Sequence, residues 1–455
     1  ELFGEYPFPE EKYGHAEFLW GGGMEHQTIS SLGYWGEMLI AHELAHQWWV
    51  NMVTCENFHH IWLHEGFATY AEALWKEYLG GPDAMHQWMN YKRYLGEGTV
   101  YVEDPLQDDI FYYELTYMKA GWVLHMLRHV VGDTMFFDIL REYRQRFYFK
   151  TAVTKDFQTV CEDLSGMDLE PFFQQWIYES GYPFYRFTWK TERISSGGYL
   201  LSIMIHQVQD GVVYQMPIDM QLQFATGDST IVLQNNKRTQ IFELAVSEPP
   251  ADVYLDPDHW ILRRQQGLDP YDIQLQTLEV RDVKGNELVH LLPGQSAQCR
   301  FKLYNNGIAL GKTYGVLRTD NPFLQVLTDS VSFGNAAAQD TLPLQSSPFK
   351  VHVSPTARPG RVDCELWLYN EYNIPLFPVS TSLYIGPSQV ILVDDASDAD
   401  AGSYFSDLFE SRHLAYSVWN NKMRGLIPAD TVDAPLWIWY SGDDAYTSLT
   451  AEEQN

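Results

Sequence analysis

At Pro183 the spacing of apolar residues changes, and that change constrains the fold more than any other feature of the chain. Upstream, "GEMLIAHELAHQWWVN" (36–51), "HEGFATYAEALWKEYL" (64–79), "DAMHQWMNYKRYL" (83–95), "YMKAGWVLHMLRHVVG" (117–132), "DTMFFDILREYRQRF" (133–147), "TKDFQTVCEDLSG" (154–166) and "DLEPFFQQWIYESG" (168–181) have helical spacing. Several open on Asp or Thr, which cap helix N-termini, and close on Gly, which ends helices readily. Downstream, "YLLSIMIHQVQ", "VVYQMPIDMQLQFAT", "STIVLQ" and "TQIFELAV" alternate apolar and polar residues, the period of half-buried strands. Further strand-like runs, "QCRFKLYNN", "PFKVHVSP" and "RVDCELWLYN", are separated by Gly, Pro and Asn turns, as in a sandwich. From Pro387 the order is strand ("SQVILVDD"), helix ("SYFSDLFESRHLAYSVW") and buried strand ("APLWIWYSGDD"), a βαβ opening. The expected architecture is multidomain: a mainly helical α+β domain at 1–182, a β-sandwich at 183–266, an Ig-like sandwich at 267–386, and the start of an α/β domain at 387–455.

A chain of 455 residues with 45% hydrophobic content can fill several cores. Thirty basic against sixty acidic residues give a formal charge of −30, which argues against nucleic acid or an anionic membrane surface as partner. No run of about 18 apolar residues occurs, so no membrane span is expected. The chain begins on Glu1 and stops on "SLTAEEQN", and both ends read as cuts in a longer protein. Its four cysteines form no CxxC, which leaves a thiolate metal site without support. Cys299 and Cys364 have two open readings, a bridge across one β module or two buried free thiols.

The chemistry concentrates in "HELAH" (42–46). On a helix, His42 and His46 are i and i+4, so they share a face and can chelate one ion. Glu43, between them, lies where it can reach water at such an ion. Glu65 follows His46 after eighteen intervening residues and opens the next expected helix, so a returning helix can bring it opposite the histidines. Two imidazoles and a carboxylate are a hydrolytic zinc set with one position left for water. The competing reading gives a polar helix face with two ordinary histidines, and Glu65 as an acid favoured in a helix's first turn.

Together "GGMEH", "HELAH", the eighteen-residue gap, "WLHEGFATYAE" and "YMKAGWVLHML" resemble, in order and distance, the gluzincin zinc aminopeptidases of the aminopeptidase N and leukotriene hydrolase type. The resemblance covers about residues 1–265 and implies a thermolysin-like catalytic domain with one zinc per chain, which removes N-terminal residues from peptides. It assigns His42, His46 and Glu65 as zinc ligands, Glu43 as general base and Tyr117 as the donor to the oxyanion. Gly22, Gly23, Met24 and Glu25 become the substrate-binding stretch, with Glu25 holding the free amine. Tyr112 and Tyr113 are nearby rivals to Tyr117, but only Tyr117 has the required lysine, Lys119, two residues on; Lys119 itself is read as support.

The role of Glu25 has a physical basis. An α-amine is a cation at or below neutral pH. Opposite charges about 4 Å apart attract by roughly 4 kcal/mol at an effective dielectric of 20, enough to favour a chain end over an internal bond. Glycines at 21–23 permit a backbone approach that side chains would block. The competing reading of Glu25 is a solvated acid at a glycine turn.

Some features depart from the family pattern. His26 and His64 stand where the family usually has Asn, and Ala120 where it has Gly. Within residues 1–455 no segment is expected to correspond to the family's N-terminal β domain or its large helical C-terminal domain. The layout instead resembles multi-module exported bacterial peptidases, which implies an extracytoplasmic enzyme (periplasmic, secreted or on the cell surface) whose C-terminal modules bind an unknown surface or partner. Two alternatives stand beside the aminopeptidase: a zinc endopeptidase of thermolysin-like type, and a non-catalytic surface binding protein with a relic peptidase unit. Asp394 and Asp395 end a strand where α/β folds bind ligands, though the acidic "ASDADAG" after them fits a solvated loop. His59 and His60 are expected on a solvated loop.

Overall fold

The computed structural model describes residues 2–194, 197–267, 273–307, 309–371, 373–394, 401–412, 414–424 and 434–440. Helices dominate up to Tyr178 and strands from Phe184 onward. The chain forms two compact units, one of Glu1–Phe187, Ile205–Phe242 and Glu248–Gly267, the other of Thr188–Met204, Glu243–Ser247 and Leu268–Asn455.

In the first unit, strands β1 (Gly14–Glu17), β2 (Gly23–Met24) and β3 (Ile29–Leu32) form a small sheet in which β3 is central, parallel to β1 and antiparallel to β2. Helices α1 (Glu37–Ala45), α2 (Trp62–Gly80), α3 (Pro82–Tyr91) and α4 (Ala120–Val131) follow, with a π-helical turn at Tyr113–Lys119 leading into α4. Behind α1 and α2, Phe67 packs on Trp49 at 5.0 Å and on Phe157 at 5.1 Å, and Tyr143 lies 4.9 Å from Phe157. Arg128 ties α4 to α2 through a two-pronged bond to Glu77, at 2.7 and 2.8 Å. Later in this unit, Met216–Phe224 pairs antiparallel with Gly227–Asn235 and with Asp252–Leu255.

Helix α1 is shorter than its apolar spacing predicts. After Ala45 the bonds tighten to the third residue back, from Gln47 N to Leu44 O and from Trp48 N to Ala45 O. The chain then turns into the strand Val53–Cys55. His46 still has helical dihedrals (φ −60°, ψ −18°), so it stays on the face of His42.

In the second unit, two sheets close on one apolar core. Cys299, Phe301 and Val351 come from one sheet and Phe333, Cys364 and Leu366 from the other, the layering of a sandwich. Cys55, Cys161, Cys299 and Cys364 are all buried free thiols, so Cys299 and Cys364 take the unbridged reading. Val390–Asp394 is the centre of a parallel sheet, flanked by Tyr416–Asn420 and Leu436–Tyr440. This corrects the expected helix at 403–419: it ends at Ser411, and "YSVWN" is a strand. A short apolar run rich in aromatic and β-branched residues fits either period, and pairing to the central strand decides it.

Candidate active site

Helices α1 and α2 bring the three proposed ligands together. His42 Nε2 lies 3.2 Å and His46 Nε2 3.4 Å from Glu65 Oε2. All three residues are buried, at 8, 1 and 4% exposure. The other ring nitrogens settle the tautomers. His42 Nδ1 is 3.0 Å from Glu72 Oε1 and His46 Nδ1 is 3.3 Å from the Trp49 carbonyl. Carboxylate and carbonyl oxygens only accept, so each Nδ1 carries the proton and donates it outward. The two Nε2 lone pairs then face a carboxylate oxygen, and three acceptors meet at one point. Such a point requires either extra protons on the rings or a cation among them. An N, N, O donor set with outward hydrogen bonds fits zinc.

The charge balance follows from the same contacts. Burial alone would lower the His42 pKa, but bonds to Glu65 and Glu72 outweigh it and raise it to about 10. His46 is likewise raised, burial again opposing and Glu65 prevailing. Burial would raise the pKa of Glu65, yet the two histidines hold its carboxyl well below the usual range. Glu43 behaves differently. Burial pushes its pKa up to about 7, with Glu25 and Glu65 adding to the rise and the histidines opposing it. Its Oε2 has no hydrogen-bond partner among the described residues.

The glycine stretch lies against this carboxylate. Oxygen atoms of Glu25 and Glu43 and a ring nitrogen of His46 lie within 4.8 Å of one another. A Cβ on Gly23 would collide with the Glu43 carboxylate, so any larger residue there would push that carboxylate aside. Two side chains just after "HELAH" hold the stretch in place. Gln47 Oε1 accepts from Thr28 N at 2.9 Å, and Asn51 Nδ2 donates to the Glu25 carbonyl at 3.1 Å. Gln47 and Asn51 were not singled out in the sequence, because the groups they hold, Thr28 N and the Glu25 carbonyl, lie on a separate stretch of chain.

Tyr117 reaches the site from the π-turn, where its ring stacks on His42 at 5.9 Å and 16°. π-Turns within helices recur at functional sites. Burial raises the pKa of the Tyr117 hydroxyl far above its usual value, and Glu65, Glu25 and Glu43 add to the rise, so it stays a donor. Close packing of α2 on α4 makes this reach possible: a Cβ on Gly66 would lie 2.7 Å from the Ala120 Cβ. The methyl of Ala120 is therefore near the largest group that fits beside Gly66. Lys119 is buried and donates from Nζ to the carbonyls of Gly98 (2.9 Å) and Glu179 (3.2 Å). Burial lowers its pKa to about 8.

Of the departures, His64 accepts from Cys55 N at 2.6 Å through Nε2, and burial lowers its pKa to about 4. His26 is exposed, and its ring bonds to Ser31 Oγ at 3.0 Å. His59 and His60 are not on a solvated loop. Both are half-buried, bonded to the Val102 carbonyl (2.6 Å) and to Thr154 Oγ1 (2.9 Å) respectively. Asp394 accepts from Asn420 Nδ2 at 3.2 Å, and Asp395 lies outside the described residues. Sequence reasoning also passed over Glu72, seven residues beyond Glu65 and so on the same face of α2, a spacing that could have revealed it.

Comparison with known proteins matches residues 27–176 to the peptidase family M1 domain. Aminopeptidase M1-A of Oryza sativa subsp. japonica is 30% identical over 161 residues, covering 32% of this chain and 18% of its own. Glutamyl aminopeptidase of Sus scrofa is 27% identical over 240 residues, covering 49% of this chain and 25% of its own. Aminopeptidase N of Lactococcus lactis subsp. lactis is 30% identical over 159 residues, covering 32% and 19%. The matched stretch thus spans a quarter or less of each of these relatives. Residues 27–176, which hold the HELAH helix, Glu65 and Tyr117, carry a peptidase family M1 domain, and it is over this stretch that the chain is similar to the aminopeptidases.

Proposed function

We propose that the chain is a zinc aminopeptidase that hydrolyses the first peptide bond of substrates with a free N-terminus, with His42, His46 and Glu65 as ligands of one zinc ion. The observation that carries this reading is the placement of Glu25 beside Glu43 and His46, within 4.8 Å. An endopeptidase has no use for a second acid there, whereas a substrate ammonium does. When bound, zinc would supply Lewis acidity and lower the pKa of water towards about 7.

The chain's own residues divide the remaining work. Glu25 holds the ammonium, and the β2 edge at Gly22, Gly23 and Met24 can align the substrate backbone beside it. Glu43 takes a proton from water as the hydroxyl adds to the carbonyl carbon, and gives it to the departing nitrogen when the C–N bond breaks. The Tyr117 hydroxyl donates where negative charge collects on the carbonyl oxygen. Because Glu25 marks the amine, one residue's length separates it from the bond that is cut.

The test is a pair of identical peptides, one free and one N-acetylated. Cleavage of the free peptide alone, releasing its first amino acid, supports the reading. Equal cleavage of both would remove Glu25 from its role and favour an endopeptidase. Zinc-free protein with no cleavage of either would leave the binding-protein alternative. An extracytoplasmic location belongs to the same proposal and is supported by the β modules and βαβ piece behind the catalytic unit. Fractionation of the native cell with a specific antibody tests it.

A further inference from the structure

Lys92 closes a ring of contacts that returns to its starting point. The Glu72 carboxylate takes His42 Nδ1–H on Oε1 at 3.0 Å, and its Oε2 is paired with Lys92 Nζ at 2.9 Å. Lys92 Nζ also donates to the Tyr113 hydroxyl at 2.7 Å. The Tyr113 ring lies 5.3 Å from that of Tyr117, which in turn stacks on His42 at 5.9 Å. One ammonium therefore stands between a proposed metal ligand and the tyrosine proposed to meet the oxyanion. We propose that Lys92 is a positioning residue of the peptidase reaction, holding His42 and Tyr117 in register through Glu72 and Tyr113. This deepens, and rests on, the zinc aminopeptidase reading.

Three features make Lys92 more than packing. It is 7% exposed, and Glu72 is 5% exposed, so each charge depends on the other for compensation. Its Nζ lies 5.2 Å from the ring centres of both Trp88 and Tyr113, which fix the charge from two sides. It follows the last residue of α3, where the unpaired carbonyls favour a cation, and its own N–H bonds back to Trp88 O at 3.0 Å. Helix α3 carries neither "HELAH" nor "YMKA", so its end acts on both from a third element.

The mechanism is steric and electrostatic. With the ammonium present, Glu72 remains an acceptor and keeps the His42 proton on Nδ1, which leaves Nε2 for the ion. The same ammonium anchors Tyr113, the first residue of the π-turn, four residues before Tyr117. Removing it leaves Glu72 as an uncompensated buried anion and frees the start of the turn.

The experiment uses the full chain as wild type, Lys92→Met, Lys92→Arg, Tyr113→Phe and the double variant that combines Lys92→Met with Tyr113→Phe. Zinc affinity of the metal-free protein is measured by competition with a chromogenic chelator, and kcat and KM with a free-amine fluorogenic substrate. Lys92→Met should weaken zinc binding about tenfold or more, as loss of support behind a ligand does. It should also lower kcat about tenfold with KM little changed. Lys92→Arg should recover most of the zinc affinity. Tyr113→Phe cuts one arm only: zinc affinity stays at the wild-type value and kcat falls about fivefold, because small displacements of a reacting group are costly. The double variant should be no slower than Lys92→Met alone. Wild-type zinc affinity and kcat in Lys92→Met would overturn the proposal, as would losses that multiply in the double variant. If Lys92→Met does not fold, Tyr113→Phe with unchanged kcat overturns it. A wild-type chain that takes up no zinc refutes the peptidase reading instead, which keeps the two failures apart.

Discussion

The sandwich at 273–385 and the helices α1–α3 of the M1 domain are filled with different material. Among the described residues of the sandwich no Asp, Glu, Lys or Arg is buried; its centre is Leu, Val, Phe, Ile and two thiols. The helices bury Glu43, Glu65, Glu72 and Lys92 beside His42 and His46. Burying charge costs free energy even when it is paired, so the second interior is a poorer source of stability than the first. What it gains is placement: each acid or base has one position and a defined set of partners. A mutation should therefore cost chemistry in one interior and folding in the other.

Glu43→Gln gives the largest expected effect. Turnover should fall about 10³–10⁴-fold while zinc stays bound. Stability should hold or rise, because a neutral amide replaces a buried carboxylate that lacks a hydrogen-bond partner on Oε2 among the described residues. Turnover above a tenth of wild type would break the contrast. Phe301→Ala is the reverse case in the sandwich. Phe301 is 1% exposed and meets Phe349 at 5.7 Å, so its loss should cost about 3–5 kcal/mol in denaturant melts. The kcat of the remaining folded protein should not change.

Glu25→Ala should reduce the preference for a free over an acetylated N-terminus about tenfold to a hundredfold, less than the full roughly 4 kcal/mol because water replaces part of the lost attraction. An unchanged preference would mean that selection lies elsewhere. The smallest effect concerns pH. His125 is fully buried and its pKa is held well below the ordinary value by burial, with the charges of His86 and Arg128 adding; His206, lowered to about 4, behaves alike. A histidine buried neutral contributes stability above the unfolded pKa of about 6.5 and loses it as pH falls towards the folded one. Each adds at most about 1.4 kcal/mol per pH unit to the slope. The first unit should melt progressively lower from pH 6.5 to 4, followed by tryptophan fluorescence. His125→Phe should flatten that dependence, and an unchanged slope would count against it.

The sequence disclosed what depends on spacing along one element. His42 and His46 share a helical face by their i, i+4 offset, and Glu65 opens the next helix. Tyr117 was legible only through resemblance, because nothing in its own neighbourhood separates it from Tyr112 and Tyr113. Gln47, Asn51 and Lys92 were not legible. Their partners, Thr28, Glu25, Glu72 and Tyr113, lie on other elements, and only the packing brings them together. Similarly, residues 416–419 looked helical because the strand they pair with, Val390–Asp394, lies well back in the chain.

Elemental analysis of purified protein, dialysed against micromolar zinc and then against metal-free buffer, tests the convergence of His42, His46 and Glu65 most directly. One zinc per chain in the wild type, and a much weaker hold in Glu65→Ala, is the expected result. A wild type that retains no zinc, or a Glu65→Ala variant that retains it as tightly, would contradict a metal centre at this point.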